Sequence, residues 1–250
     1  MIATIITARF NSSRLKGKIL KKINNKNRSI DVLIIRAKKI NKPIILCTSN
    51  HKSDDLLVSY VKKKYPNVSI FRGSLINKIK RWHDCFKKFK IQFACMIDGD
   101  DLAFCYNLYK KSITYLNKDN SLELIKYSNK AIPGLFTYSI RFAALEKIKK
   151  LFTKHKDSEM VDPFFSKAKL KKKIITISKK MNINQDIRLT MDYKEDLNFF
   201  KKLYSKNSLT NSSKNLIFFL NKNNNLKKIN FFRDFEWKMN QKKKLIVLNE

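Results

Sequence analysis

Residues 6–20, ITARFNSSRLKGKIL, decide the fold of this chain, and they continue a short apolar run that begins at residue 2. A run of this length and composition predicts a buried β-strand over residues 2–6. The loop after it combines cations with hydroxyls: Arg9, Ser12, Ser13, Arg14, Lys16 and Lys18. Such a strand end is suited to a triphosphate, because backbone amides and Arg or Lys side chains neutralise phosphate charge at close range. A solvated basic loop in a lysine-rich chain is the alternative.

The glycine content of this loop excludes two other kinds of phosphate site. Residues 6–20 hold a single glycine, Gly17, and contain neither G-x-x-x-x-G-K-[ST] nor G-x-G-x-x-G. A Walker loop and a dinucleotide-binding fingerprint are therefore both ruled out at the first strand.

Beyond this loop, short apolar runs alternate with amphipathic stretches. We expect strands at residues 44–47, 68–71, 93–97 and 174–177, and helices at residues 29–40, 56–64, 77–88 and 197–204. This alternation predicts a mostly parallel sheet with helices on both faces. Ligands bind such sheets beyond the carboxyl ends of the strands.

Polar residues follow each of the first four predicted strands, at residues 7–18, 48–50, 72–74 and 98–101. If the strands are parallel, these four segments lie on one edge of the sheet. The run RLTMD at residues 188–192 is also β-rich, and we expect it to be a strand of the same sheet. It would then bring Asp192 to the edge that carries Asp100.

Length and composition indicate a globular α/β protein with one main domain. The chain has 250 residues, of which 43% are hydrophobic, enough to bury a sizeable core. From residue 208 the composition shifts to Asn, Ser and Lys. We therefore expect a main domain over residues 1–207 and a C-terminal helical and aromatic extension over residues 208–250 that packs on it.

The formal net charge of +35 comes from lysines spread over the whole chain. That distribution is typical of solvated faces, and we expect no specific nucleic-acid partner.

The four cysteines lack C-x-x-C spacing, which favours buried free thiols of a cytosolic protein. The chain starts without a charged n-region, and no apolar run reaches about 18 residues. We expect a cytoplasmic protein without membrane insertion.

The string A-R-x-x-S-x-R-L-x-G-K-x-L at residues 8–20 resembles the signature of the cytidylyltransferases that make CMP-activated sugars. It is most similar to the SpsF-like branch of spore-coat polysaccharide biosynthesis, whose relatives are the CMP-KDO and acylneuraminate cytidylyltransferases. VSIFRGS, IDGDD and DIRLTMDYKEDL resemble further family segments. The chain departs from the family pattern at Lys16, Met96, Leu102 and Met160.

The resemblance implies a three-layer α/β/α fold of the nucleotide-diphospho-sugar transferase (GT-A-like) type, with a mostly parallel central sheet. It implies catalytic roles for Arg14, Lys18 and Asp100. It implies Mg²⁺ as cofactor, held by Asp100 and Asp192. The nucleotide-binding residues that it implies are Ala8, Arg9, Ser12, Ser13, Arg14, Lys18, Thr48, Arg72 and Gly73.

The activity that the resemblance implies is transfer of CMP from CTP to a sugar or sugar acid for surface polysaccharide, with release of pyrophosphate. A homodimer is a further expectation. A glycosyltransferase of the related fold is the alternative, because Asp98-Gly99-Asp100 has the form of its D-x-D motif. A nucleic-acid-binding protein and an inactive relative are two further alternatives. The capping of a helix that starts near residue 195 accounts for Glu195 and Asp196.

Overall fold

The computed structural model of the chain describes residues 1–128, 132–151, 160–175 and 186–247, with side chains through residue 242. The strands are β1 (Ile2–Thr7), β2 (Ile44–Ser49), β3 (Ser69–Gly73), β4 (Phe93–Asp98), β5 (Leu124–Tyr127), β6 (Tyr138–Arg141) and β7 (Lys172–Ile175). They form one sheet in the order β3-β2-β1-β4-β6-β5-β7. Only β6 runs antiparallel to its neighbours, β4 and β5, among these strands. The predicted mostly parallel sheet is confirmed.

Helices cover both faces of this sheet. They are α1 (Ser29–Lys38), α2 (Asp55–Lys64), α3 (Lys78–Lys88), α4 (Tyr106–Lys118), α5 (Phe142–Leu151), α6 (Asp162–Lys167), α7 (Lys194–Ser205), α8 (Ser213–Lys222), α9 (Asn224–Lys227) and α10 (Arg233–Val247). Successive strand residues point to opposite faces, so Ile6 joins the core under α1, α2, α4, α7 and α8. Ile5 joins the core under α3, α5 and α6. The predicted three-layer α/β/α architecture is confirmed.

The four parallel strands at one end of the sheet finish at a common edge. Thr7 of β1 is paired with Asp98 of β4 and with Cys47 of β2. The backbone amide of Gly99 donates to the carbonyl of Thr7 at 2.9 Å. The loops after β1 and β4 are therefore neighbours, as the sequence predicts.

The expectation of a strand at residues 188–192 is wrong. No strand is assigned there, and the segment crosses the sheet edge as extended chain held by single hydrogen bonds. The amide of Met191 donates to the carbonyl of Asp100 at 2.9 Å, and the amide of Leu189 donates to that of Pro133 at 3.0 Å. Gly134 permits this approach, because a Cβ at that position would lie 2.1 Å from the carbonyl oxygen of Leu189.

The segment after residue 207 packs on the sheet domain. The buried guanidinium of Arg36, on α1, donates to the carbonyls of Leu209 and Asn211 at 2.9 Å. Leu216 and Leu220 of α8 enter the core. The division at residue 207 stays a prediction. Of the strand expected at residues 174–177, β7 contains the first two residues, and the other two lie outside the described residues.

Among the described residues, no helix combines the length and the apolar composition that a membrane span requires.

Candidate active site

A cavity of about 1040 Å³ lies at the edge where β1 and β4 end. The loop after β1, the loop after β4, residues 75–81, residues 132–138 and one side of α10 line it. Among its described lining residues are eight arginines and lysines and five aspartates. A cavity with this excess of cations is suited to an anionic ligand.

Lys18 lies at the centre of the charged part of this cavity. Its ammonium nitrogen is 3.0 Å from Asp100 Oδ2, from Asp192 Oδ1 and from the carbonyl oxygen of Met191. An ammonium group has three N–H donors, so these three oxygens satisfy it completely. Gly17, directly before it, has a φ of 65°, a left-handed conformation that starts the short helical turn Lys18–Leu20.

Asp192 is the most heavily paired carboxylate of the site, and its side chain is 1% exposed. Its Oδ1 atom accepts from Lys18 and from Arg14 Nη2, the latter at 2.6 Å, and Oδ2 accepts from Arg188 Nη2 at 3.2 Å. Burial alone would raise the pKa of Asp192, but the charges of Lys18 and Arg14 outweigh it and lower the pKa to about 2.

The carboxylates after β4 differ from Asp192. Asp100 is more open to the cavity, with 26% of its side chain exposed. Burial raises the pKa of Asp100 against the attraction of Lys18. Asp101 accepts a hydrogen bond from Thr137 Oγ1 at 2.8 Å, and burial together with the charges of Asp100 and Asp98 raises its pKa well above the usual value. Asp98 pairs with Lys78 Nζ at 2.9 Å.

Arg188 connects this charged group to the C-terminal helix. Its fully buried guanidinium contacts Asp192, Asp196 Oδ1 at 3.0 Å and Asp234 Oδ1, on α10, at 3.6 Å. It also lies over the ring of Trp237, 5.2 Å from the centroid. Because several buried charges share these contacts, α10 is tied to the position of Asp192.

The expected helix-capping role of Asp196 is confirmed. Its carboxylate accepts from the backbone amides of Asp192 and Tyr193 at 2.8 and 2.9 Å, at the start of α7. Glu195 instead pairs with Arg233 at 2.9 Å, across to the start of α10.

A sequence model of the family described as cytidylyltransferase matches residues 3–229 of this chain. The chain belongs to the cytidylyltransferase family. It is accordingly a nucleotidyltransferase, and the cation-lined cavity is the candidate active site of that enzyme.

Two curated proteins are similar to this cytidylyltransferase. An uncharacterized protein from Methanocaldococcus jannaschii is 30% identical over 233 residues, which are 92% of this chain and 94% of the relative. The spore coat polysaccharide biosynthesis protein SpsF from Bacillus subtilis is 25% identical over 212 residues, which are 82% of this chain and 87% of the relative. The resemblance to the SpsF-like branch is confirmed.

Two solved structures share the fold of this cytidylyltransferase. A cytidylyltransferase from Leptospira borgpetersenii serovar Hardjo-bovis superposes with a TM-score of 0.80 at 22% identity, over 90% of this chain and 95% of that one. The CMP:2-keto-3-deoxy-manno-octonic acid synthetase complexed with CTP superposes with a TM-score of 0.61 at 14% identity, over 82% of this chain and 98% of that one.

Seven of the sequence-predicted site residues of the cytidylyltransferase line the cavity together: Ala8, Arg9, Ser12, Ser13, Arg14, Lys18 and Asp100. Asp192 lies directly behind them, joined to Arg14 and Lys18. The structure thus brings residues 14, 18, 100 and 192 together, and their catalytic, nucleotide-binding and metal-binding roles stay predictions.

Three predicted nucleotide-binding residues lie outside the cavity lining, at the ends of β2 and β3. Thr48 Oγ1 donates to Asp54 Oδ2 at 2.8 Å, and Arg72 pairs with Asp55 at 2.7 Å. The carbonyl of Gly73 accepts from the amide of Asn50 at 2.8 Å. Their role toward a nucleotide stays a prediction.

The predicted metal ligands fit Mg²⁺ in their chemistry. Asp100 and Asp192 converge on one point, with the carbonyl of Met191 as a third oxygen. Mg²⁺ takes one or two carboxylates and completes its shell with phosphate oxygens and water. At that point the structure places the ammonium group of Lys18. Among the described residues, no three His, Cys, Asp or Glu side chains form a metal site.

Several residues that line the cavity carry no site role among those predicted from the sequence. Arg81 is 2% exposed, lines the cavity and donates to the carbonyl of Ser74 at 2.6 Å. The segment IKRWHDCFKKF at residues 79–89, which contains Arg81, resembles a helix of the family, and this resemblance was the available signal. Phe235 and Lys238 of α10 also line the cavity. The sequence predicted that this C-terminal extension packs on the main domain, but no motif in it signals that α10 lines this cavity.

Proposed function

We propose that this cytidylyltransferase transfers CMP from CTP to a sugar or sugar acid that is used in surface polysaccharide, and releases pyrophosphate. The observation that carries the proposal is the convergence of Arg9, Arg14 and Lys18 on the cavity that Asp100 also lines. The names of the SpsF relative and of the CTP-complexed synthetase support the nucleotide and the pathway. A homodimer and a cytoplasmic location stay predictions.

The reaction is a displacement at the α-phosphorus of CTP. A hydroxyl oxygen of the acceptor forms the new P–O bond and loses its proton to water. The bond from the α-phosphorus to the bridging oxygen breaks, and pyrophosphate leaves with that electron pair. Catalysis of such a step rests on holding the phosphates in line and neutralising their charge.

Arg9, Arg14 and Lys18 are proposed to bind the triphosphate, because charge-assisted contacts from several cations lower the cost of gathering phosphate charges. Ser12 and Ser13 add hydroxyl donors, and Ala8 lines the same cavity beside Gly99. Asp100 and Asp192 would hold Mg²⁺, which supplies further charge neutralisation at the phosphate oxygens when bound.

Arg81 and Arg9 are proposed to shape the same cavity from its other side. Arg9 Nη1 donates to the carbonyl of Leu75 at 2.9 Å, and Arg81 Nη1 approaches the same carbonyl at 3.3 Å. Arg9 thus holds the loop after β3 against the loop after β1, whereas Arg81 holds the same loop against the start of α3. The contact from Arg9 fixes the distance between the two loops.

The test is pyrophosphate release from each of the four NTPs, with Mg²⁺ and a panel of sugars and sugar acids. We expect release from CTP alone, dependent on one acceptor class. Lys18→Met should abolish most of it. Lys16→Met is the matched control, because Lys16 carries the same charge in the same loop but lies outside this cavity.

Two outcomes would contradict the proposal. One is the absence of CTP-dependent release with every acceptor of the panel. The other is transfer of a sugar from a nucleotide sugar, which would favour the glycosyltransferase alternative and the D-x-D role of Asp98 and Asp100.

A further inference from the structure

The ammonium group of Lys18 occupies a position that is built from three oxygens. Its nitrogen is 3.0 Å from Asp100 Oδ2, from Asp192 Oδ1 and from the carbonyl of Met191. The side chain of Lys18 is 14% exposed. We call these three oxygens the oxygen tripod. Each takes one of the three donors of the ammonium group, so none is left for another acceptor.

The contact between Lys18 and the oxygen tripod conflicts with two proposed roles, triphosphate binding by Lys18 and metal binding by the two carboxylates. A triphosphate oxygen can accept from Lys18 only if the ammonium gives up a tripod oxygen. A divalent metal needs the same carboxylate oxygens, and two cations repel one another at such a distance. In the nucleotide-free protein, the cation at this point is therefore Lys18 itself.

Asp192 has no free oxygen that could hold a metal beside Lys18. Its Oδ1 atom is shared between Lys18 and Arg14, and its Oδ2 atom is held by the buried Arg188. Arg188 is fixed in turn by Asp196 and Asp234. Asp192 is thus held in place from behind, and the movable partner is the flexible side chain of Lys18.

We propose that Lys18 is a built-in counter-cation that excludes divalent metal from Asp100 and Asp192 until a triphosphate draws its ammonium group away. Phosphate oxygens are strong acceptors that can replace the tripod oxygens around Lys18. Nucleotide and metal then bind cooperatively, and by linkage each raises the affinity for the other by the same factor. The inference rests on the proposed function for the identity of the triphosphate, but the exclusion of metal is a property of the nucleotide-free chain.

The experiment measures Mn²⁺ binding to the nucleotide-free protein by electron paramagnetic resonance of the free ion. Wild type, Lys18→Met and the control Lys16→Met are compared at equal ionic strength. Lys18→Met leaves two carboxylates and a carbonyl without their ammonium partner, and it should bind Mn²⁺ more tightly than wild type by roughly tenfold or more. Lys16→Met should bind as wild type does. Asp100→Asn in the Lys18→Met background should remove the gain.

The proposal is overturned if Lys18→Met binds Mn²⁺ no more tightly than wild type, or if Lys16→Met shows the same gain. It is also overturned if the gain survives Asp100→Asn. Lys18→Gln, which is neutral but retains a hydrogen-bond donor, is measured in parallel so that a folding defect of one variant does not decide the result.

This readout is independent of turnover. A wild-type protein that releases no pyrophosphate from CTP would contradict the proposed function and leave the metal measurement intact. A wild type that turns over CTP, together with unchanged Mn²⁺ binding in both Lys18 variants, would contradict the role of Lys18 alone.

Discussion

The polar clusters at the two halves of the sheet edge contact very different partners. Where β1 and β4 end, Arg14 pairs with Asp192 and Lys18 pairs with Asp100, across 178 and 82 residues of chain. Where β2 and β3 end, Thr48 contacts Asp54, only six residues away. The first cluster adjoins the cavity, whereas the side chains of the second cluster contact residues around the start of α2.

This difference separates two roles of polar residues that follow strands. The side chains of the second cluster stabilise the ends of β2 and β3 and the start of α2, whereas those of the first cluster adjoin the cavity. The second cluster also supports the first, because Asp54 accepts from the backbone amide of Phe10 at 2.6 Å. It thereby holds the beginning of the loop that carries Arg14 and Lys18.

The largest expected effect is that of Asp192→Asn on stability. The substitution removes the negative charge that Arg14, Lys18 and Arg188 share, and a buried pair broken on one side costs about 3 kcal/mol or more. Urea denaturation without nucleotide or metal measures the free energy of unfolding.

Asp55→Asn is the matched control from the other cluster. Asp55 pairs with Arg72 but is 55% exposed, so its loss should cost about 1 kcal/mol or less. Equal losses in the two variants would contradict the distinction between the clusters.

The next effect concerns nucleotide affinity. Arg14→Met and Lys18→Met should each weaken CTP binding by about ten- to a hundredfold, since a hydrogen bond to a charged group contributes roughly 1.5–3 kcal/mol. Arg72→Met, from the other cluster, should weaken it by less than about threefold, because its guanidinium is held by Asp55 and by the carbonyl of Ser49. Calorimetry with Mg²⁺ measures all three. A loss of CTP affinity in Arg72→Met equal to that in Lys18→Met would show that Arg72 contacts the nucleotide.

Much of the fold follows from local sequence patterns. The strand after Met1 and the strands at residues 44–47 and 93–97 are short apolar runs, and their order with intervening helices leaves few topologies. Each strand in the structure extends one or two residues further, to Thr7, Ser49 and Asp98, because the pairing with neighbouring strands continues past the apolar residues.

Residues of the candidate site could be predicted only where they belong to a recognisable sequence motif. The loop at residues 8–20 and Asp100 lie beside predicted strand ends, but the spacing of Asp192 shows nothing of its contact with Lys18. Residues 188–192 were predicted to be a strand because the run is β-rich, yet they are held by hydrogen bonds to loops. The tripod and the contact of Arg188 with Asp234 depend on tertiary packing, which no local pattern encodes.

A third expected effect is a pH dependence of the stability that the first cluster contributes. The pKa of Asp192 is lowered to about 2 in the folded protein. Its charge pairing therefore contributes fully to the free energy of unfolding when the pH is above the ordinary aspartate pKa of about 3.9. That contribution is lost as the pH falls toward 2. The difference in unfolding free energy between wild type and Asp192→Asn should therefore shrink by roughly 2 kcal/mol between about pH 5 and pH 2. A difference that grows as the pH falls would contradict the assigned charge pairing.

The smallest expected effect is that of Thr48→Val, and it tests the second cluster most directly. The substitution keeps the shape of a fully buried side chain and removes the one hydrogen bond from its hydroxyl to Asp54 Oδ2. Asp54 keeps its contacts with the amide and hydroxyl of Ser49 and with the amide of Phe10, so the loss should be about 1 kcal/mol of unfolding free energy. CTP affinity should stay within about twofold, because the side chain supports the loop and does not line the cavity. Denaturation and calorimetry on the same preparation separate the two roles. A tenfold loss of CTP affinity at unchanged stability would show that Thr48 contacts the nucleotide, and would join the two clusters into one binding surface.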